Sequence, residues 1–586
     1  MGKTSSAFFD TVRALAPIVT HALTSGQIFK PHCELTEPHP DILCEYDVKI
    51  PMSEGFYVTA NVYRSKLAAE RGEPTPVVMC AHPYDNHLTP ALGKTPFGGA
   101  PQQYRLIPQA GRPRFSKLTS WESPDPNFWI PAGYAVVNMN LPGYANSGGR
   151  PSVFSEHQGK CYYEAIEWIA MQPWCTGKVG LNGVSFLAIT QYHVAACQAY
   201  GEPPPSLCCI SPWEGLSDPY RDIFARGGLP ELGFPAFWWT TEVKPALNGA
   251  QEEFVQSEGC IPTDYVKNHP LYDDFWKAKE AKLEEIKIPM LVCGSFSDHE
   301  LHTMGSFRAF MKAQSEHKWL YTHRTGKWDA YYSPEVQALT RKFMDFFLKG
   351  DTSNGFLNTP PVRLEVRASL KEIHEVRYEQ EWPLARTKYQ KLYLTDQQSL
   401  SSTVLSASKE LTYSATKGRT SFLYDFTEDT ELTGYMKLRL WIETQPEKAD
   451  QDPPDDIGLY VAVNKLNQDR KSVHFYGSVG NSQDMLTRGC GRASLRALDP
   501  IESMEWHPVF SADRTQKLKP GEIVSLEIAL YPSSTYFSKG EAFQLIVSPR
   551  EIISSPPYFK DDSFNDGLYV IHVGGNFGSH LLIPKI

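Results

Sequence analysis

The chain is short of the features that mark several large classes of protein. It has no apolar run long enough to span a bilayer, so no membrane-spanning helix is expected. It has no basic stripe: 57 Lys and Arg are scattered among 67 Asp and Glu, the net charge is -10, and nucleic-acid binding is not expected. No CxxC or Cys/His spacing points to zinc, and neither a metal nor an organic cofactor is implied. The eleven cysteines are odd in number and irregularly spaced. Cys208 and Cys209 are adjacent, and others sit in apolar runs such as Val77-Val78-Met79-Cys80 and Leu291-Val292-Cys293. That pattern fits buried free thiols in a reducing, cytoplasmic setting. The start lacks a basic region followed by an apolar stretch and a cleavage site, so secretion is not expected. Met1-Gly2-Lys3-Thr4-Ser5-Ser6 fits a loose myristoylation pattern, but the pattern is short and chance explains it better. There is no internal repeat and no low-complexity tract.

What is present is an ordinary globular composition, 41% hydrophobic and 21% charged, with aromatic content raised to 12%. With 586 residues the chain is too long for one core. Phe8 to Ser25 reads as an amphipathic helix. Tyr46 to Ile50 and Phe56 to Tyr63 read as a hairpin around Ser53-Glu54-Gly55. Short apolar strands follow at Pro76–Ala81, Tyr134–Met139, Lys178–Asn182, Ser206–Ser211, Pro289–Gly294 and Lys318–Thr322, with a helix over Cys161–Met171. Strands alternating with helices predict a mostly parallel sheet covered on both faces, an α/β fold. The alternation stops between Pro212 and Ile286, where aromatic, helix-like sequence predicts a cap over the sheet's carboxyl edge. After the linker Asp351-Thr352-Ser353-Asn354-Gly355 the period becomes two. Met436, Leu438, Leu440 and Ile442 alternate with more polar neighbours, as do Val524, Leu526, Ile528 and Leu530, which predicts a β-sandwich or jelly roll. The expected division is core over 1–211 and 287–350, cap over 212–286, and jelly roll over 359–586.

The chemistry centres on Gly183-Val184-Ser185-Phe186-Leu187. A strand precedes it and a helix follows, so Ser185 stands on a sharp strand-to-helix turn, the layout of a nucleophile elbow. Leu187 replaces the second glycine of that pattern. An activated serine needs a base, an orienting acid and oxyanion donors. In an α/β-hydrolase the acid and then the histidine follow the serine, each at the end of a later strand. Asp298 follows the strand at Pro289–Gly294, and His323 ends the strand at Lys318–Thr322. The rivals are His299, whose side chain next to Asp298 would point away from it, His302, assigned to the following helix, and His82, which precedes the serine. The Phe186 N–H is one oxyanion donor, and Tyr84, in the loop after the strand ending at Ala81, offers a second. Trp213, Phe237 and Trp238 are candidates for an apolar acyl pocket.

These motifs, together with Glu164 to Trp174, the cap entry Glu214 to Asp222, Ser297-Asp298-His299-Glu300-Leu301-His302-Thr303-Met304-Gly305, and the closing Gly578 to Pro584, resemble the CocE/NonD hydrolases. That family includes cocaine esterase, glutaryl acylase, α-amino acid ester hydrolase and X-prolyl dipeptidyl peptidase. The resemblance implies triad roles for Ser185, Asp298 and His323 and an oxyanion role for Tyr84. The chain departs from the family at Gly326-Lys327-Trp328-Asp329-Ala330, where Ala330 stands in place of the histidine of a Gly-Pro-Trp-x-His motif. It departs again at Asn140-Leu141-Pro142-Gly143, where an Asp-x-Arg-Gly turn has lost both charges.

The expectation is therefore a serine hydrolase that cleaves a small-molecule ester or amide through an acyl-enzyme, with no nucleic-acid or membrane partner and homo-oligomerisation left open. A biosynthetic acyltransferase or cyclase would use the same serine, because the choice of acceptor depends on cap shape and water access. A binding protein with a relic site is the third reading, and an apparently complete triad argues against it.

Overall fold

The computed structural model describes residues 33–89, 104, 107, 110–197, 199–249, 261–553, 557–560 and 563–586. The helix expected over Phe8–Ser25 and the myristoylation pattern lie outside them.

The N-terminal half is built on one sheet. Its strands are β1 (Ile42–Pro51), β2 (Tyr57–Ser65), β3 (Thr75–His82), β4 (Ala135–Asn140), β5 (Cys175–Val184), β6 (Leu207–Trp213), β7 (Met290–Ser295), β8 (Lys318–His323) and β9 (Val362–Arg367). The spatial order is β1-β2-β4-β3-β5-β6-β7-β8-β9. β1, β2 and β4 pair antiparallel, and every pair from β4 to β9 is parallel. Reversal of strand order around β3, β4 and β5 opens a crevice beyond the strands' carboxyl ends, where ligands bind in such sheets.

Period two explains how the sheet is covered. Val77 and Met79 on β3 face one side, with Ile166 and Ile169 of helix α1 (Glu156–Ala170) in the same apolar cluster. Val78 between them joins Val136, Phe343 and Met344 on the other side. Phe343 and Met344 belong to helix α4 (Pro334–Lys349), which Ser333 caps by accepting from the Val336 N–H and Gly350 ends in a left-handed conformation. Each such buried aliphatic side chain contributes about 1.5–3 kcal/mol relative to exposure. Helix α2 (Phe186–Ala195) follows β5, and helix α3 (Thr303–Lys312) follows β7.

The described part of 212–286 is a set of short helical turns, among them Tyr220–Phe224, Gly233–Trp238 and Asp274–Lys277. Much of its aromatic content packs on itself: Trp276 lies 5.3 Å from both Tyr220 and Phe224, ring centre to ring centre. The C-terminal half is antiparallel and forms a separate apolar core, as its alternation predicts. Met436, Leu438, Leu440 and Ile442 on strand Thr430–Gln445 pair with Leu530, Ile528, Leu526 and Val524 on strand Val524–Phe537. β9 joins the two halves: Leu320 of β8 pairs with Val362, while Arg367 at its far end pairs with Thr535 of the C-terminal sheet. The ten described cysteines are free thiols, and no helix among the described residues is long and apolar enough to cross a membrane.

Candidate active site

Four neighbouring strand ends supply the site. Ser185 follows β5, Glu214 follows β6, the loop carrying Asp298 and His302 follows β7, and His323 ends β8. Ser185 has φ 61° and ψ -118°, a left-handed conformation that non-glycine residues avoid and that functional turns retain. The turn is held by the Ser185 N–H, which donates to the carbonyls of Trp213 at 3.0 Å and Glu214 at 3.2 Å. Gly183, two residues before the serine, explains how the elbow tolerates Leu187. A Cβ on Gly183 would lie 2.6 Å from the Leu187 Cβ, and its φ is +154°, so the leucine occupies the space that a side chain at 183 would need.

Ser185 Oγ donates to His302 Nε2 over 3.1 Å, and His302 Nδ1 donates to Asp298 Oδ2 over 2.5 Å. The base expected at His323 is therefore corrected: His302 reaches the serine, and His323 does not. The reason is local. The N–H groups of Leu301, His302 and Thr303 all donate to the Asp298 carbonyl, at 3.2, 3.1 and 3.2 Å, which winds the loop into a helical turn. Residues i and i+4 share one face of such a turn, so Asp298 and His302 meet. His299, one residue on, turns away and stacks on Tyr531 at 5.1 Å. His323 instead donates through Nε2 to Glu214 Oε1 over 2.7 Å. Burial would raise the Asp298 carboxyl, but His302 beside it, with Lys327 further off, holds it well below the ordinary range.

A cavity opens on this group. Tyr84 lines it, 2% exposed, and its hydroxyl accepts from Trp238 Nε1 over 3.0 Å. That leaves the phenolic hydrogen for another acceptor. Burial, reinforced by the charges of Glu242 and Glu122, pushes the Tyr84 hydroxyl well up, so it stays a donor. The Phe186 N–H opens the first turn of α2, where N–H groups have no intrahelical carbonyl. Phe237 and Trp238 line the cavity with Phe154, Phe186, Phe224 and Phe234. Trp213 does not, which corrects its expected place: it is wholly buried at the end of β6, stacked on His323 at 5.8 Å and packed against Tyr321 and Tyr331.

Four further contributors went unread in the sequence. Glu122, at φ 59°, accepts from Trp328 Nε1 at 2.8 Å and pairs with Lys327 Nζ at 3.3 Å, and both it and Lys327 line the cavity. Burial would lower the Lys327 ammonium, but Glu122, Asp298 and Glu214 raise it on balance. From the C-terminal half, Tyr558 closes the cavity wall and stacks on Phe234 at 5.0 Å, while Ser478 Oγ accepts from the Glu300 N–H at 3.1 Å. A lone tyrosine or serine in a β-rich region carries no sequence signal of this kind. At the second departure from the family, Asn140 replaces a charge with neutral bonds, accepting from the Asn86 N–H at 2.9 Å and donating to Thr59 Oγ1 at 3.1 Å.

Among the described residues, two buried trios bring metal-ligand atoms within 4.8 Å of one another, Glu214/Cys293/His323 and Glu214/Asp298/His302. In each the histidine already donates to a carboxylate. Burial also pushes the Cys293 thiol well up, against the thiolate a metal needs.

The chain is 34% identical to a solved CocE/NonD family hydrolase from Staphylococcus aureus, with a TM-score of 0.82 over 93% of this chain and 94% of that one. The chain belongs to the CocE/NonD hydrolase family. Residues 54–329 match the model of the X-Pro dipeptidyl-peptidase S15 family, and residues 354–578 match the X-Pro dipeptidyl-peptidase C-terminal non-catalytic domain. It is 23% identical to cocaine esterase of Rhodococcus sp. (strain MB1 Bresler), over 92% of this chain and 98% of that one. The fold is shared with an α-amino acid ester hydrolase, at 14% identity and a TM-score of 0.65 over 93% of this chain. As a CocE/NonD member the protein is a serine-family hydrolase of the α/β-hydrolase fold.

Proposed function

We propose that this protein hydrolyses an ester or amide of a bulky apolar acyl group through an acyl-enzyme on Ser185. The observation that carries the reading is the unbroken hydrogen-bond chain Ser185–His302–Asp298 at the floor of an aromatic cavity. Ser185 Oγ attacks the carbonyl carbon as its proton passes to His302 Nε2. Asp298 holds the imidazole through Nδ1 and stabilises the imidazolium that forms. The Tyr84 hydroxyl and the Phe186 N–H take the oxyanion. His302 then gives the proton to the leaving alkoxide or amine, the carbon–heteroatom bond breaks, and the acyl group stays on Ser185. Water, deprotonated by His302, attacks that ester; the acyl–Oγ bond breaks, His302 returns the proton to Ser185 Oγ, and the carboxylic acid leaves.

The substrate class is argued from the cavity wall. Phe154, Phe186, Phe224, Phe234, Phe237 and Trp238 favour a benzoyl-type or branched apolar acyl group over acetyl, by area removed from water. The test is fluorophosphonate labelling followed by a panel of acetyl, hexanoyl and benzoyl esters with one leaving group. Stoichiometric labelling that disappears in Ser185→Ala and in His302→Ala, with kcat/KM rising from acetyl to benzoyl, is expected. Labelling that persists in Ser185→Ala sinks the mechanism, and equal rates across the panel sink the acyl preference.

A further inference from the structure

Glu214 stands between two histidines. It has φ 50°, a left-handed conformation in a residue that is not glycine, directly after β6. Its main chain is part of the elbow: its N–H donates to the Cys293 carbonyl at 3.1 Å, and its carbonyl accepts from the Ser185 N–H at 3.2 Å. The side chain is 1% exposed and lines the catalytic cavity. Oε1 accepts from His323 Nε2 over 2.7 Å, and Oε2 accepts from Ser295 Oγ over 2.9 Å. One carboxylate is thus tied to the ends of β7 and β8. A Glu214 oxygen, an Asp298 oxygen and a His302 ring nitrogen also lie within 4.8 Å of one another.

We propose that Glu214, oriented by His323 and Ser295, is a positioning residue that supplies His302 with a second negative charge beside Asp298; this rests on the roles given above to Ser185, His302 and Asp298. When the Ser185 proton reaches Nε2, the imidazolium lies between two carboxylates in a site screened from water, where such charges act strongly. No bond to Glu214 forms or breaks. His323, as the donor to Glu214 Oε1, holds that carboxylate in place. The ionisable groups facing this cluster include Lys327, Glu122, Glu242, Tyr84 and Tyr558 around the cavity, Cys293 beside Glu214 and His323, and Asp329, which interacts with His323. Lys327 interacts with Glu122, Asp298 and Glu214 together, so it offsets one negative charge and leaves an excess around His302. Loss of the family's later histidine at Ala330 fits this arrangement. A base drawn from the acid's own loop sits nearer β6, within reach of a carboxylate there.

The test is the pH dependence of the second-order rate constant for fluorophosphonate labelling of Ser185 in the full chain. A rate constant does not depend on how much folded protein a variant yields. Glu214→Gln keeps an acceptor for Ser295 and loses the charge. Its acid-limb midpoint is expected to move down by about half a pH unit or more, with a slower plateau, because a nearby negative charge favours the imidazolium. His323→Gln keeps a donor for Glu214 and leaves its charge, so its midpoint stays at the parent's. An unmoved midpoint in Glu214→Gln overturns the proposal, as does a lowered one in His323→Gln. A Glu214→Gln chain without a cooperative melt assigns the residue to the scaffold and overturns it too. Failure of the underlying reading is distinct: normal labelling in Ser185→Ala or His302→Ala removes the triad whatever Glu214 does.

Discussion

His302 lies four residues after Asp298 on a single turn, and its Nδ1 donates to Asp298 Oδ2 over 2.5 Å. Acid and base therefore hang from one strand, β7, and move together. In the layout expected from the sequence they hang from β7 and β8 and are brought together by the sheet alone. A single turn that fixes both groups against Ser185 needs fewer distant contacts to hold its geometry.

The two histidines are separable by kinetics. His302→Ala is expected to lower kcat by about 10^4-fold or more and to add little to Ser185→Ala, since triad members act as a unit. His323→Ala leaves the Ser185–His302 bond in place and is expected to cost far less. Steady-state rates of both single variants and of the double with Ser185→Ala decide it, and equal severity of the two histidine variants would reverse the assignment.

Tyr84 and Trp238 form a donor relay. Tyr84→Phe removes an oxyanion donor and is expected to lower kcat by about 10²–10³-fold with little change in KM. Trp238→Phe removes the bond that orients the phenol, 3.0 Å in the native protein, while keeping an aromatic ring on the cavity wall, and is expected to cost less. If Tyr84→Phe raises KM at unchanged kcat, Tyr84 binds substrate rather than the oxyanion.

Gly183 and Leu187 share one space. Gly183→Ala puts a Cβ 2.6 Å from the Leu187 Cβ at a φ of +154°, and an unfolding loss of about 1–3 kcal/mol is expected. Leu187→Gly removes that Cβ, leaves a cavity and destabilises by a separate route. Because the second change relieves the clash made by the first, the double variant is expected to lose less than the sum of the singles. Urea unfolding of the three variants measures that coupling, and strict additivity would count against it.

His299 is buried, and burial with the nearby Arg488 and Arg367 charges lowers it to about 3. The unfolded chain takes up a proton near pH ~6.5 and the folded one does not, so its contribution to stability is whole above that pH and is lost as pH falls. Between pH 7.5 and 5 the linkage amounts to about 2 kcal/mol. His299→Leu, which cannot titrate, is expected to gain about that much relative to the parent over the same interval. Chemical denaturation of both chains at the two pH values measures it, and a constant difference would show that His299 does not titrate on unfolding.

The sheet was legible because its signals are local. Val77 to Cys80, Leu291 to Cys293 and the alternation from Met436 to Ile442 each fit a strand by composition and period alone, and each lies in one. The elbow was legible for the same reason: strand, glycine, serine and helix are contiguous in the chain. Phe237 and Trp238 on the cavity and Trp213 off it were not separable in advance, because aromatic residues line cavities and fill cores by the same burial. The sequence determined on its own which strands form, that a serine stands on the turn after Val184, and that a carboxylate follows the strand at Cys293. Only the tertiary structure decided which histidine meets that serine. The choice turns on whether the four residues after Asp298 wind into a turn, and on Glu214 crossing from β6 to occupy His323. Neither is a property of a short stretch of chain: each depends on which strand ends lie side by side and on which partner reaches a buried side chain first.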